Sequence, residues 1–385
     1  MPASECPDPR VFPEHVDPAY APLIELAAAS LAAPSAARAD AIDQVLIGAL
    51  ATRLCSADGL LLAELMAAAT SYAVARHLWR RLIDAWREAS RPPDGDGLAA
   101  TLFAMPAVII VGMASASEPP PVEGVLGEPE RVAEVLREHG ALAGNQTFSL
   151  SAAVTAADAL DVARLPALLE CQRRAARGGG ANFDLPAAPI AVQSGQENVY
   201  LRFLVGCALA APGIDLLAAT DTARWGLPMA REFVRQLGVP GVSFLALPGA
   251  PQSPPAALVQ GRAAQRAVGA QLFASNAIRR LRASVGEPSA VISAHTCSGA
   301  PGGGELRLSL SSVLDQRGAE GFRCPLFPTD AVGDVVTMLD ELLRDCRVTD
   351  ICVLPGLHAD RDPATGLTLL FKRDGLPQRE APRFH

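Results

Sequence analysis

The 385-residue chain is short of three things that common functions draw on: lysine, aromatic rings and charge. Of its 33 basic residues only Lys372 is a lysine. No glycine-rich run precedes it in the GxxxxGK[ST] spacing, so the backbone cradle and ammonium of a phosphate-binding loop are missing. A Schiff-base enzyme would depend on Lys372 alone, at the end of an expected edge strand beside Arg373 and Asp374. GxGxxG after a strand, HExxH, GxSxG and the kinase signatures are absent as well, which disfavours ordinary nicotinamide enzymes, zincins, α/β-hydrolases and kinases. No cofactor and no metal set is legible.

Aromatic residues make up 5% of the chain and charged residues 19%, with a formal net charge of -8. Nucleic-acid affinity comes largely from neutralising phosphate with a basic face, so no nucleic-acid partner is expected. Long hydrophobic runs are lacking too: the best, 104–116 and 201–211, fall short of the roughly 20 residues that cross a bilayer and read as buried strands. The opening residues are acidic and proline-rich where a secretory signal needs a cationic and then an apolar stretch. The expectation is a cytoplasmic protein without membrane insertion. Eight cysteines are scattered with no CxxC pair, and Cys207 and Cys352 lie in apolar runs that suit small buried side chains.

Half of the residues are apolar, which is enough for a large core and excludes disorder as the main theme. Residues 1–19 read as an extended tail and 20–95 as a helical segment. Residues 96–385 read as an α/β region, with a glycine- and proline-rich joint at 178–196 that would split it into two sub-domains. The expected fold class is α/β, an N-terminal helical segment followed by a mixed, partly parallel sheet region with flanking helices.

In the helical segment, Ser35 is placed to cap a helix over 36–54. A second helix is expected without a break from 60 to 89. On it Leu61, Leu65, Ala68, Tyr72, Ala75, Trp79, Leu82 and Trp86 alternate spacings of four and three, with Arg80 and Asp84 set for an ion pair on the opposite side. Two of the three tryptophans lie one heptad apart, so Leu65, Tyr72, Trp79 and Trp86 form a candidate partner-binding or self-associating stripe. Apolar Leu62, Ala69 and Ile83 beside the seam suit a helix buried in its own bundle instead.

In the α/β region, strands are expected at 107–112, 147–150, 190–193, 198–208 and 242–247, and helices at 129–139, 156–176, 222–237 and 254–282. A hairpin of 290–297 and 305–313 follows, in which Leu306, Leu308 and Leu310 alternate with Arg307, Ser309 and Ser311. Thr329 or Asp330 would cap a helix leading by a short turn into a strand at 350–354, as a parallel crossover requires, and a strand at 367–371 ends the series.

Three clusters carry possible chemistry. Strand 350–354 runs into His358, Asp360 and Asp362, an imidazole with Asp360 to orient it as a general base, or with Asp362 a hard-metal set; the same residues make an ordinary polar turn before Asp-Pro-Ala-Thr-Gly. His295 and Cys297 share a strand face, where a His-paired thiolate would be nucleophilic, although such neighbours also pack without reacting. The third is basic: Arg173, Arg174 and Arg177, with Arg262, Arg266, Arg279, Arg280 and Arg282 on the long helix, suited to phosphate or to a solvated face. Two function classes are expected from this: a non-catalytic protein that assembles with itself or a protein partner in a scaffold, accessory or assembly role, and an α/β enzyme acting on a small substrate, phosphorylated or not, through His358, Asp360 and Asp362 or through His295 and Cys297.

Overall fold

The computed structural model describes residues 20–56, 59–69, 71–91, 99–113, 121–141, 147–177, 183–192, 198–210, 222–238, 242–284, 286–296, 304–312, 320–358, 370–371 and 377–378. Four helices come first: α1 (Ala21–Leu31), α2 (Ala36–Cys55), α3 (Gly59–Ala67) and α4 (Tyr72–Ala89). Ser35 caps α2, its hydroxyl accepting from Arg38 N. The helix expected over 60–89 is broken in two, because the Ser71 hydroxyl accepts from Val74 N and begins a new helix at Tyr72. Asp84 pairs with Arg81 and Arg87 on either side, at 3.2 Å each.

The first sheet contains β1 (Ala99–Met113), β2 (Thr147–Leu150), β3 (Asn198–Ala210) and β4 (Val242–Pro248), ordered β2-β3-β1-β4 and antiparallel throughout. Its central strand β1 is apolar on both faces, as a strand covered on both sides must be. Leu102, Ala104 and Val108 join the core made by α1–α4, by α6 (Leu165–Ala176) and by the start of α8 (Pro254–Ser284). Met105, Ala107, Ile109 and Val111 face α5 (Pro129–Glu138) and α7 (Thr222–Leu237), where Trp225, Met229 and Phe233 fill the gap. The helical segment and the first sheet therefore share one core, and the boundary expected near residue 95 does not separate two cores.

Along residues 99–105, β1 extends beyond β4, and its backbone is satisfied otherwise. The buried Gln172 amide accepts from Leu102 N at 3.2 Å and donates to Ala100 O at 2.7 Å, imitating a strand. Gln252 and Ala104 then exchange two backbone bonds before β4 takes over. Three expectations here are corrected. Residues 157–164 form two short 3-10 turns instead of the start of a helix, since Asp158 and Asp161 bond the adjacent N–H of Ala159 and Val162. The strand expected at 190–193 is a single bridge between Ile190 and Val122, with Gln193 outside the described residues. The joint at 178–196 lies between α6 and β3, so the strands on either side of it, β2 and β3, are neighbours in one sheet.

The second sheet contains β5 (Pro288–Thr296), β6 (Gly304–Ser312), β7 (Glu320–Leu326) and β8 (Asp350–His358), ordered β7-β6-β5-β8, with β8 parallel to β5. Its parallel pair is made by the expected crossover through α9 (Val332–Asp345). β7 was not anticipated. Ala290, Ile292, Leu306, Leu308, Leu310, Cys324 and Leu326 form its apolar face, packed on α9 and on Ala270, Ala274, Ala277, Ile278 and Leu281 of α8. The 31 residues of α8 thus span about 46 Å and serve both sheets. Two short strands, β9 (Leu370–Phe371) and β10 (Pro377–Gln378), pair with each other.

Candidate functional site

The opposite face of the second sheet is polar and, on β5 and β6, buried. Alternation puts Ser289, Ser293 and His295 of β5 beside Glu305, Arg307, Ser309 and Ser311 of β6, and Arg323 of β7 beside Arg307. His295 is 0% exposed, Arg307 1%, Ser293 3% and Glu305 6%. The pattern of β6 seen in the sequence is therefore a division between two buried environments, helices on one side and a polar row on the other.

Within the row the contacts are specific. Ser293 Oγ and His295 Nε2 lie 2.7 Å apart. Arg307 Nε donates to Glu305 Oε1 at 2.6 Å, and Arg323 Nε donates to the same carboxylate at 2.8 and 3.0 Å. Two guanidiniums gathered on one carboxylate compensate its buried charge. Ser289 Oγ is buried with no hydrogen-bond partner among the described residues.

The two histidines read from the sequence are neighbours in strand register here. Cα register pairs His295 with His358, so both stand at the carboxyl ends of the parallel strands β5 and β8, where open sheets hold their ligands. Cys297, Asp360 and Asp362 lie outside the described residues. What sequence reasoning missed is Ser293, two residues before His295 on the same face, together with Glu305 and Arg323; the same period-2 reading that singled out Cys297 would have found Ser293.

The basic cluster resolves into separate roles. Arg173 donates to Ala89 O and to Cys55 Sγ, and Arg177 pairs with Glu170. Arg262 lies over the Phe327 ring, 4.7 Å from its centroid. Arg266 forms a buried two-point pair with Asp330, whose carboxylate also accepts from Phe327 N. Arg279 meets Asn276, Arg280 meets Glu320, and Arg282 meets Glu287 and Arg347 O. No convergent phosphate site arises among them. Asp330 is thereby committed, and the N-cap of α9 is Ala331 instead of the expected Thr329 or Asp330.

The aromatic stripe points inward. Leu65, Trp79 and Trp86 are buried in the core shared by α1–α4 and the first sheet. Tyr72 is half-buried and donates its hydroxyl toward Phe327 O and Asp330 O, both at 2.7 Å. Burial, with the Asp330 charge nearby, pushes its phenol up to about 12. Burial likewise pushes the thiols of Cys207 and Cys324 up to about 12, in keeping with small packed side chains, whereas Cys352 is half-buried. Among the described residues no group of three or more metal-ligating side chains forms, and no helix is long and apolar enough to cross a membrane.

No family model, no curated protein and no solved structure matches this chain.

Proposed function

We propose that the polar face of the second sheet binds and acts on a small anionic substrate, phosphorylated or carboxylated, at the carboxyl ends of β5 and β8. The observation that carries this reading is the buried row His295, Ser293, Arg307 and Glu305. Burying four polar side chains on one face costs stability that an apolar face would supply, so the row is accounted for by what it contacts. Imidazole supplies proton transfer near neutral pH, and the arginines supply charge for an anion.

The test is thermal unfolding of the wild-type protein with inorganic phosphate, sugar phosphates and mono- and dicarboxylates. One anion class should raise Tm, and Arg323→Met, whose side chain is the most exposed of the row, should abolish that rise. A wild-type Tm that no anion moves sinks the proposal.

Assembly is the second reading, and one observation favours it. β4 is an edge strand on which Leu245 and Leu247 are exposed, and exposed apolar edges pair with further strands. The occupant we infer is a second copy joined edge to edge through β4, in place of the buried aromatic stripe. Light scattering over a concentration series should then give a dimer that Leu245→Lys dissociates; a monomer mass at every concentration removes this reading.

A further inference from the structure

We infer that Ser293 is a nucleophile activated by His295 and that the site transfers or hydrolyses an acyl group; this rests on the substrate site proposed above. The two side chains project from one face of β5, two residues apart, with Oγ and Nε2 at 2.7 Å, the separation at which an imidazole takes a hydroxyl proton. Arg307 is the cross-strand partner of Ser293 and Glu305 that of His295, on the same face of the sheet, and Arg307 Nε donates to Glu305 Oε1 at 2.6 Å. Both members of the pair are shut away from bulk water, where oriented charges act more strongly than in solution.

The chemistry balances without a cofactor. Ser293 Oγ bonds to the carbonyl carbon of an ester as its proton passes to His295 Nε2, which requires the neutral ring to carry its own hydrogen on Nδ1. The ester C–O bond breaks, and the departing alkoxide takes the proton back from the imidazolium and leaves as an alcohol. Water then attacks the acyl-serine carbonyl as its proton passes to His295 Nε2, the C–Oγ bond breaks, and the imidazolium returns the proton to Oγ, releasing a carboxylic acid and restoring the hydroxyl. Arg307 is placed to oppose the negative charge that develops on the carbonyl oxygen.

The experiment is labelling of the full-length protein with a fluorophosphonate, which a nucleophilic serine attacks at phosphorus with loss of fluoride, followed by peptide mass spectrometry. One adduct should appear on Ser293. His295→Gln should slow its formation by about 10²- to 10⁴-fold, the usual range for loss of a general base. Ser293→Cys, which keeps the size of the side chain, should instead become sensitive to iodoacetamide. Absence of an adduct on Ser293 in the wild type, or unchanged labelling in His295→Gln, overturns the inference. Anion-induced stabilisation that persists in Ser293→Ala together with such a failure would leave the substrate site standing and remove only the nucleophile.

Discussion

Tyr72 ties the helical segment to the second sheet through one hydroxyl, and its effects are measurable at the scale of the residue. Tyr72→Phe removes the bonds to Phe327 O and Asp330 O and should destabilise the protein by about 1–3 kcal/mol in urea unfolding. The folded protein holds the phenolic proton more tightly than an unfolded chain, whose tyrosines titrate near 10. Its contribution is therefore complete below pH 10 and is lost as pH rises toward about 12. The alkaline limb of a stability–pH curve should be shallower in Tyr72→Phe. Asp43 shows the opposite sign. Burial pushes its carboxyl up, but hydrogen bonds from Ser30 and His77 and the charges of His77 and Arg81 outweigh this and hold it below the usual value. That stability is present above the unfolded carboxylate range and is lost as pH falls through the lowered value. Asp43→Asn should flatten the acid limb, and an acid limb unchanged by the substitution would show that this cluster adds nothing.

At the scale of the element, α8 is possible only because it can approach the first sheet closely. A side chain at Gly261 would meet Leu201 Cδ1 and Phe203 Cζ at 2.9 Å and Pro106 Cβ at 3.0 Å. Gly261→Val should therefore cost about 1–3 kcal/mol by overpacking, more than the gain in helix propensity returns. α4 shows which of two readings of one pattern the fold selects. Its heptad spacing of Tyr72, Trp79 and Trp86 was legible, yet spacing describes only the width of an apolar stripe. That the stripe packs on α1 and α2, inside the core these helices share with the first sheet, follows from a short chain return that a linear pattern does not encode. Trp86→Ala should accordingly lower stability by about 3–5 kcal/mol in denaturant unfolding, with no dependence on protein concentration.

At the scale of the molecule, two sheets of different construction hang on one helix. The first is antiparallel and covered on both faces at its inner strands β1 and β3; the second has an apolar face on α8 and α9 and a polar face that is buried on β5 and β6. Arg266 and Asp330 lock the junction, with Arg266 also donating to Pro325 O at 3.2 Å. Removing one member of a buried pair strands the other charge, so Asp330→Leu should cost about 3–5 kcal/mol. Because α8 contributes to both cores, wild-type unfolding followed by tryptophan fluorescence and by circular dichroism should give coincident transitions. In Asp330→Leu the fluorescence transition, which reports the three tryptophans beside the first sheet, should separate from the other.

The sequence by itself determined the α/β class, most helices and strands, the hairpin and the parallel crossover into β8, because each is written in local periodicity and in caps such as Ser35 and Gly140. It also carried His295 and His358 as candidates. Only the tertiary structure decided that these two stand side by side and that Glu305 gathers Arg307 of its own strand and Arg323 of β7. Register between strands distant in sequence fixes those neighbours, and register is chosen by the whole sheet's packing on α8 and α9. The same holds for Arg307, which alternation marks as polar and only the surrounding fold makes buried.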